Sequence, residues 1–214
     1  MKIIKTEATD SKTASLIDLG DELNGLTKAQ KKEVLTDIGE LLVGQILEAC
    51  ADSKSPVTGR AFHKLSKEYA KKKQAEVGSK DPNLDLNGEM LDALDFKIVG
   101  DKIDLGVFGS DAPKADGHNN FSGKSKLPER RFLPGEGQGF TSDIDELISD
   151  TIKAYRADNL SLDDSKLKVI ESKADLYEYL RSVIGDFSRA EIRGLVLQSE
   201  LAAELDAFDL LDLL

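Results

Sequence analysis

Between Leu94 and Phe108 apolar and polar residues alternate with a period of two. Leu94, Phe96 and Ile98 precede Gly100-Asp101, and Ile103, Leu105 and Val107 follow it. Alternation on both sides of a two-residue link containing glycine predicts an antiparallel hairpin. With Gly100 and Asp101 as the turn, Ile98 faces Ile103, Phe96 faces Leu105 and Leu94 faces Val107. All six apolar side chains then share one face, and a one-residue slip would scatter them. On the other face Lys97 meets Asp104, an opposite-charge pair worth roughly 0.2–1 kcal/mol.

A second pattern has helical period. Val34, Leu35, Ile38, Leu41, Leu42, Ile46, Ala49 and Cys50 recur at three- and four-residue steps, predicting an amphipathic helix over about 28–51. Thr27 with Gln30 is a capping-box pair at its start. Gly39 and Gly44 inside it each cost roughly 1 kcal/mol relative to alanine, so they mark close packing of a neighbour or a hinge. Ile144, Leu147, Ile148, Ile152 and Tyr155 form a later stripe, with Ser142 and Asp145 as its cap and a linker from Arg156 to Ser165. Lys2–Thr6 reads as a short strand, Thr9–Ser15 as irregular, 66–76 as a helix, Glu89–Ala93 as one helical turn, and Leu127–Leu133 as extended between prolines. Ser110–Lys126, rich in Gly, Asn and Ser, reads as one long loop.

The fold expected is α+β: a long early helix packed on a small antiparallel sheet with the 94–108 hairpin at its centre. A helical C-terminal extension follows. The segments are an N-terminal arm (1–26), an α+β domain (27–157) and an acidic extension (158–214). The extension holds two capped helical patterns, from Ser172 and from Ser188. Its last stretch carries Leu201, Leu205, Phe208 and Leu211 at helical spacing, with five acids and no base after residue 199. Such a segment is too small for its own core and is expected to dock elsewhere.

Charge narrows the function. The chain has 214 residues and a net charge of -11, which repels DNA and anionic membranes. It has no Trp and only 6% aromatics, too few rings for a single-strand stacking platform. Its lone Cys50 allows no internal disulfide. No run of about 18 apolar residues and no signal-peptide pattern is present, so synthesis in a cytoplasm and no membrane partner are expected. Lys64, Lys67, Lys71, Lys72 and Lys73 make one basic island. It is either a solvated helix face or a contact to an acidic neighbour or phosphate.

No reactive constellation emerges. Gly117 to Ser125 mimics a phosphate-binding loop, but five residues separate its glycines instead of four, and Leu127-Pro128 blocks the helix that must follow. Gly135-Glu-Gly-Gln-Gly139 lacks a βαβ context. His63 and His118 have no second ligand at metal spacing. Cys50 lies in an apolar stripe, which favours packing over nucleophilic chemistry. The expectation is no enzyme, no cofactor and no metal.

Three patches in order carry a resemblance. They are Gly59-Arg-Ala-Phe62-His-Lys-Leu65-Ser66 with Tyr69 and the lysines; Leu86-Asn-Gly88-Glu-Met90 before Leu94; and Leu127-Pro128-Glu-Arg130-Arg-Phe132-Leu133. Over roughly 27–157 the chain resembles the virion-morphogenesis, or tail-completion, family of tailed bacteriophages. Phe62 stands where the family commonly has Trp, Glu129 where it has a small residue, and Arg131 where it has Pro. The resemblance implies a non-enzymatic virion protein of the head–tail junction, often a ring that joins connector to tail and lets DNA pass without specific binding. Its implied partners are further copies of itself and the portal and tail proteins. Arg130 and Arg131 beside Phe132, the lysines Lys71, Lys72 and Lys73, and the tail residues Leu201, Leu205 and Phe208 are the interaction candidates. The competing reading is a non-enzymatic adaptor or regulatory module that binds a partner through its acidic amphipathic C-terminus.

Overall fold

The computed structural model describes residues 1–84 and 88–158. The C-terminal helical patterns, Leu201, Leu205 and Phe208 lie outside the described residues. Strands β1 (Lys2–Ala8) and β2 (Lys12–Asp18) come first, then helices α1 (Lys28–Ala51), α2 (Lys67–Val77) and α3 (Glu89–Asp92). Strands β3 (Leu94–Val99) and β4 (Lys102–Phe108) and helices α4 (Ala112–Asn119) and α5 (Ser142–Asp158) follow among the described residues. The architecture is α+β, with one antiparallel sheet ordered β1-β2-β4-β3.

The central hairpin has the expected register: Leu94 opposite Val107, Phe96 opposite Leu105, and Ile98 opposite Ile103. Gly100 takes φ +64, the left-handed conformation that makes the tight turn accessible. Lys97 is opposite Asp104, as the pattern requires. The ion pair expected there is nevertheless formed elsewhere. Asp104 is claimed by Lys12 of β2 at 2.8 Å, and Lys97 lies over the Phe108 ring, 4.1 Å from its centroid.

Residues 2–18, expected as part of an arm, supply two of the four strands. Strand β2 was the least visible element, because Thr13 and Ser15 occupy its buried face beside Val107 and Leu105. Each hydroxyl is satisfied there: Thr13 Oγ1 donates to the Ala112 carbonyl and Ser15 Oγ to the Pro134 carbonyl, both at 2.6 Å. A buried polar group with a partner carries little penalty, so the strand persists without apolar alternation. The long loop expected at 110–126 contains α4, which Pro113 starts near its N-terminus and Asn120, at φ +58, ends.

Two compact units divide the chain. The larger comprises Met1–Glu22 and Leu35–Ile148, and the smaller comprises Leu23–Val34 with Ser149 onward. In the larger, Leu35, Ile38, Leu42, Ile46 and Cys50 are fully buried along α1, and so are Ile17, Ile103, Leu105 and Val107 on the sheet face. Burial pushes the Cys50 thiol up to about 12, so it behaves as a core side chain. In the smaller unit the capping box forms as expected. The Thr27 amide donates to Gln30 Oε1 at 2.9 Å and the Gln30 amide donates to Thr27 Oγ1 at 3.3 Å. There Tyr155 donates its hydroxyl to Glu33 at 2.7 Å and Arg156 donates to the Asn24 carbonyl at 2.7 Å. Arg156 is therefore helical and buried, where a linker was expected. At the front of α5 the Asp145 amide reaches the Thr141 carbonyl at 3.0 Å, so Ser142 sits inside the helix instead of capping it.

The two glycines of α1 prove unlike. A Cβ at position 39 would lie 2.4 Å from the Phe96 ring, whereas one at position 44 would meet nothing within 4 Å. Gly39 is thus the close approach of helix to hairpin, and Gly44 is no packing contact. We expect Gly39→Ala to lose about 1–3 kcal/mol to overpacking, offset in part by about 1 kcal/mol of helix propensity. Gly44→Ala gains about 0.5–1 kcal/mol. Urea unfolding of the two variants side by side checks this, and equal midpoints would refute the assignment.

Candidate interaction site

The first and third sequence patches meet in space. Ser66 caps α2 by accepting the Tyr69 amide at 3.2 Å, and Gly78, at φ +73, ends it. This fixes the α2 side chains relative to the preceding loop. Across from that loop, Arg130 donates through Nε to the His63 carbonyl at 2.9 Å and through Nη2 to the Lys64 carbonyl at 3.3 Å. Ser55 Oγ donates to the Arg131 carbonyl at 2.6 Å. Two sequence-distant loops are stitched by backbone carbonyls.

The stretch that follows Arg130 is held by a residue the sequence did not single out. Asn119, the last residue of α4, is fully buried. Its Oδ1 accepts the amides of Phe132 and Leu133 at 3.0 and 2.9 Å, and its Nδ2 donates to the Ala115 carbonyl at 3.1 Å. Three of the amide's four hydrogen-bonding valences are used here, so an extended segment is fixed to a short helix without a strand ladder. Nothing in the spacing around Asn119 marked it; only its adjacency to Asn120 and a glycine-rich run distinguishes it.

Between these loops lies an open cleft of about 430 Å³. Leu65, Tyr69, Leu84, Leu127 and Pro128 form its apolar surface, and Lys64, Lys114 and Arg130 its basic one, with His118 beside them. Tyr69 and Leu127 are 40% and 55% exposed, large apolar groups left facing water. Arg130 is only 6% exposed, and burial lowers its pKa. Among the described residues no carboxylate pairs with it.

The expected contact residues sort differently in space. Arg130 lines the cleft. Arg131 is engaged locally, with Glu129 and Gln138. Phe132 is 0% exposed and belongs to the core, not to an interface. Lys71 and Lys72 are exposed on α2, and Lys72 lies 3.7 Å from Glu76. Lys73 is buried, with its ammonium donating to the Asp81 carbonyl at 2.7 Å and to the Asn83 side chain, so it holds the loop after α2. The basic island is therefore no uniform solvated face.

His118 is the one titratable group here with a large displacement. Burial, and then Arg130 and Lys114 nearby, lower it from 6.5 to about 4. Its Nδ1 has no hydrogen-bond partner among the described residues. The native imidazole thus stays neutral down to about pH 4, while the unfolded one takes a proton near 6.5. Between those values the unfolded state binds more protons. The contribution is complete above pH 6.5 and is lost as pH falls toward 4, by up to about 3 kcal/mol. Acidification from pH 7 to 4.5 should lower the melting temperature of the wild type more than that of His118→Phe; parallel curves would contradict the assignment.

The phosphate-loop mimic is occupied by its own contacts. Helix α4 precedes its second glycine instead of following it. The Ser122 amide donates to Asp116 at 3.0 Å and the Ser125 amide to Asn120 at 3.1 Å. Among the described residues no three His, Cys, Asp or Glu side chains gather as metal ligands, and no helix is long and apolar enough to cross a membrane.

A small antiparallel sheet under a long helix, with a basic and apolar cleft between loops, defines a module of α+β class. The model of the phage virion morphogenesis family matches residues 13–156. The chain belongs to that family, which gives it a structural or assembly role in a phage virion. No curated protein and no solved structure matches it.

Proposed function

We propose that the chain is a non-enzymatic building block of the head–tail junction, the neck or tail-completion layer, assembled as a closed ring around the DNA channel. The observation that carries this reading is the family match over 13–156, which contains β3, β4, nearly all of β2, the cleft and most of α5. Its neighbours are further copies of itself, the portal or connector on one side and tail proteins on the other. The 158–214 extension supplies contacts to those neighbours. A net charge of -11 keeps duplex DNA from adhering to a ring it must slide through.

Phage carrying a null allele of this gene should accumulate filled heads and finished tails that do not join, and purified chain added to the lysate should restore infectious particles. Joined particles in the null lysate would overturn the proposal. Duplex DNA should bind the chain more weakly than about micromolar at physiological salt, since a net charge of -11 repels a phosphate backbone.

A further inference from the structure

The cleft presents a mismatch that points to an occupant. The chain has 40 acidic and 29 basic residues, yet among the described residues no acid lines the cleft. Arg130 is buried in the cleft wall with its charge unpaired among the described residues, its N–H groups held by two carbonyls. Burying a cation without a counter-charge is costly, and a carboxylate arriving from outside relieves that cost. Lys64 is exposed beside it, and among the described residues Lys114 has only Asp111, at 4.0 Å. The exposed Tyr69 and Leu127 add apolar surface that water solvates poorly. The occupant must therefore be acidic and apolar together. Phosphate backbone satisfies the first requirement and not the second.

One segment of this chain has that chemistry. Residues 200–214 hold Glu200, Glu204, Asp206, Asp209 and Asp212 with no base, and Leu201, Leu205, Phe208 and Leu211 recur among them at three- and four-residue steps. We infer that residues 200–214 of a second copy dock in this cleft, with the apolar stripe on Leu65, Tyr69 and Leu127 and the acids toward Lys64, Lys114 and Arg130. A volume of about 430 Å³ takes a few side chains, which suits a short segment and excludes a folded domain. The contact is heterologous: the tail of one copy enters the cleft of the next, and such contacts generate a ring when the rotation closes. The inference rests on the copy-to-copy assembly proposed above.

The test uses the full-length chain carrying benzoylphenylalanine in place of Tyr69, mixed with unsubstituted copies labelled with heavy nitrogen and then irradiated. Mass spectrometry identifies the captured peptide and the copy it came from. The expected product joins position 69 to residues 200–214 of the heavy copy. Lys64→Glu with Lys114→Glu turns two attractions into repulsions and should cut that product about tenfold. Glu204→Lys with Asp209→Lys in the labelled copy should recover most of it. Lys64 and Lys114 are exposed, and a melting curve confirms that each variant folds. Capture of the same copy's tail, of another segment or of added duplex DNA overturns the inference, as does a yield indifferent to the reversals. The readout needs no virion, so a null-phage result against the head–tail role leaves it separately decidable.

Discussion

Replacing Asn119 with leucine destabilises the protein by about 2–5 kcal/mol, because two buried amides lose their acceptor together. Phe132 and Leu133 donate to the same oxygen, and both side chains are fully buried, so water cannot take its place without opening the core. Leucine fills most of the volume and offers nothing to accept a hydrogen bond. Asn119→Asp restores the acceptor but places a charge where the structure has a neutral amide. It should fall between wild type and Asn119→Leu at pH 7 and recover as the carboxyl is protonated. Denaturant unfolding with hydrogen exchange at Phe132 and Leu133 reads both effects. If Asn119→Leu unfolds within about 0.5 kcal/mol of wild type, the residue does not anchor the segment.

Phe132→Ala should lose about 3–5 kcal/mol, the range for emptying a buried aromatic site. Arg131→Ala next to it should change stability by less than about 1 kcal/mol, since its partner Glu129 is an exposed local carboxylate. The pair separates core from surface within two adjacent residues. Chemical denaturation of the two variants decides it, and similar losses at both positions would place Phe132 outside the core.

Much of the fold was legible because it rests on periodic burial. The hairpin register, the bounds of α1 and the Thr27–Gln30 capping box follow from patterns with one solution each. Strand β2 escaped because two of its buried positions are Thr13 and Ser15, whose fitness for the core depends on carbonyls about 100 residues away. Helix α4 escaped because glycine- and asparagine-rich composition dominates a local reading, while its stabilisation comes from burial of Ala112, Ala115 and Asn119.

The site was partly legible. Arg130 could be picked out by its place in the Leu127–Leu133 patch. Its partners could not, since they are backbone carbonyls of His63 and Lys64, which carry no side-chain signal. Lysine identity alone did not separate Lys73, buried and bonded to the loop, from Lys71 and Lys72 on the surface. Phe132 was misplaced because an aromatic beside two arginines looks like an interface anchor until its burial is known.

Gold-labelled antibody against this chain, applied to intact and disrupted virions under the electron microscope, tests the central claim most directly. The account places the label at the junction of head and tail, on a single layer of several copies per particle. Label confined to the capsid shell or the distal tail, or particles that carry no copy at all, would contradict it.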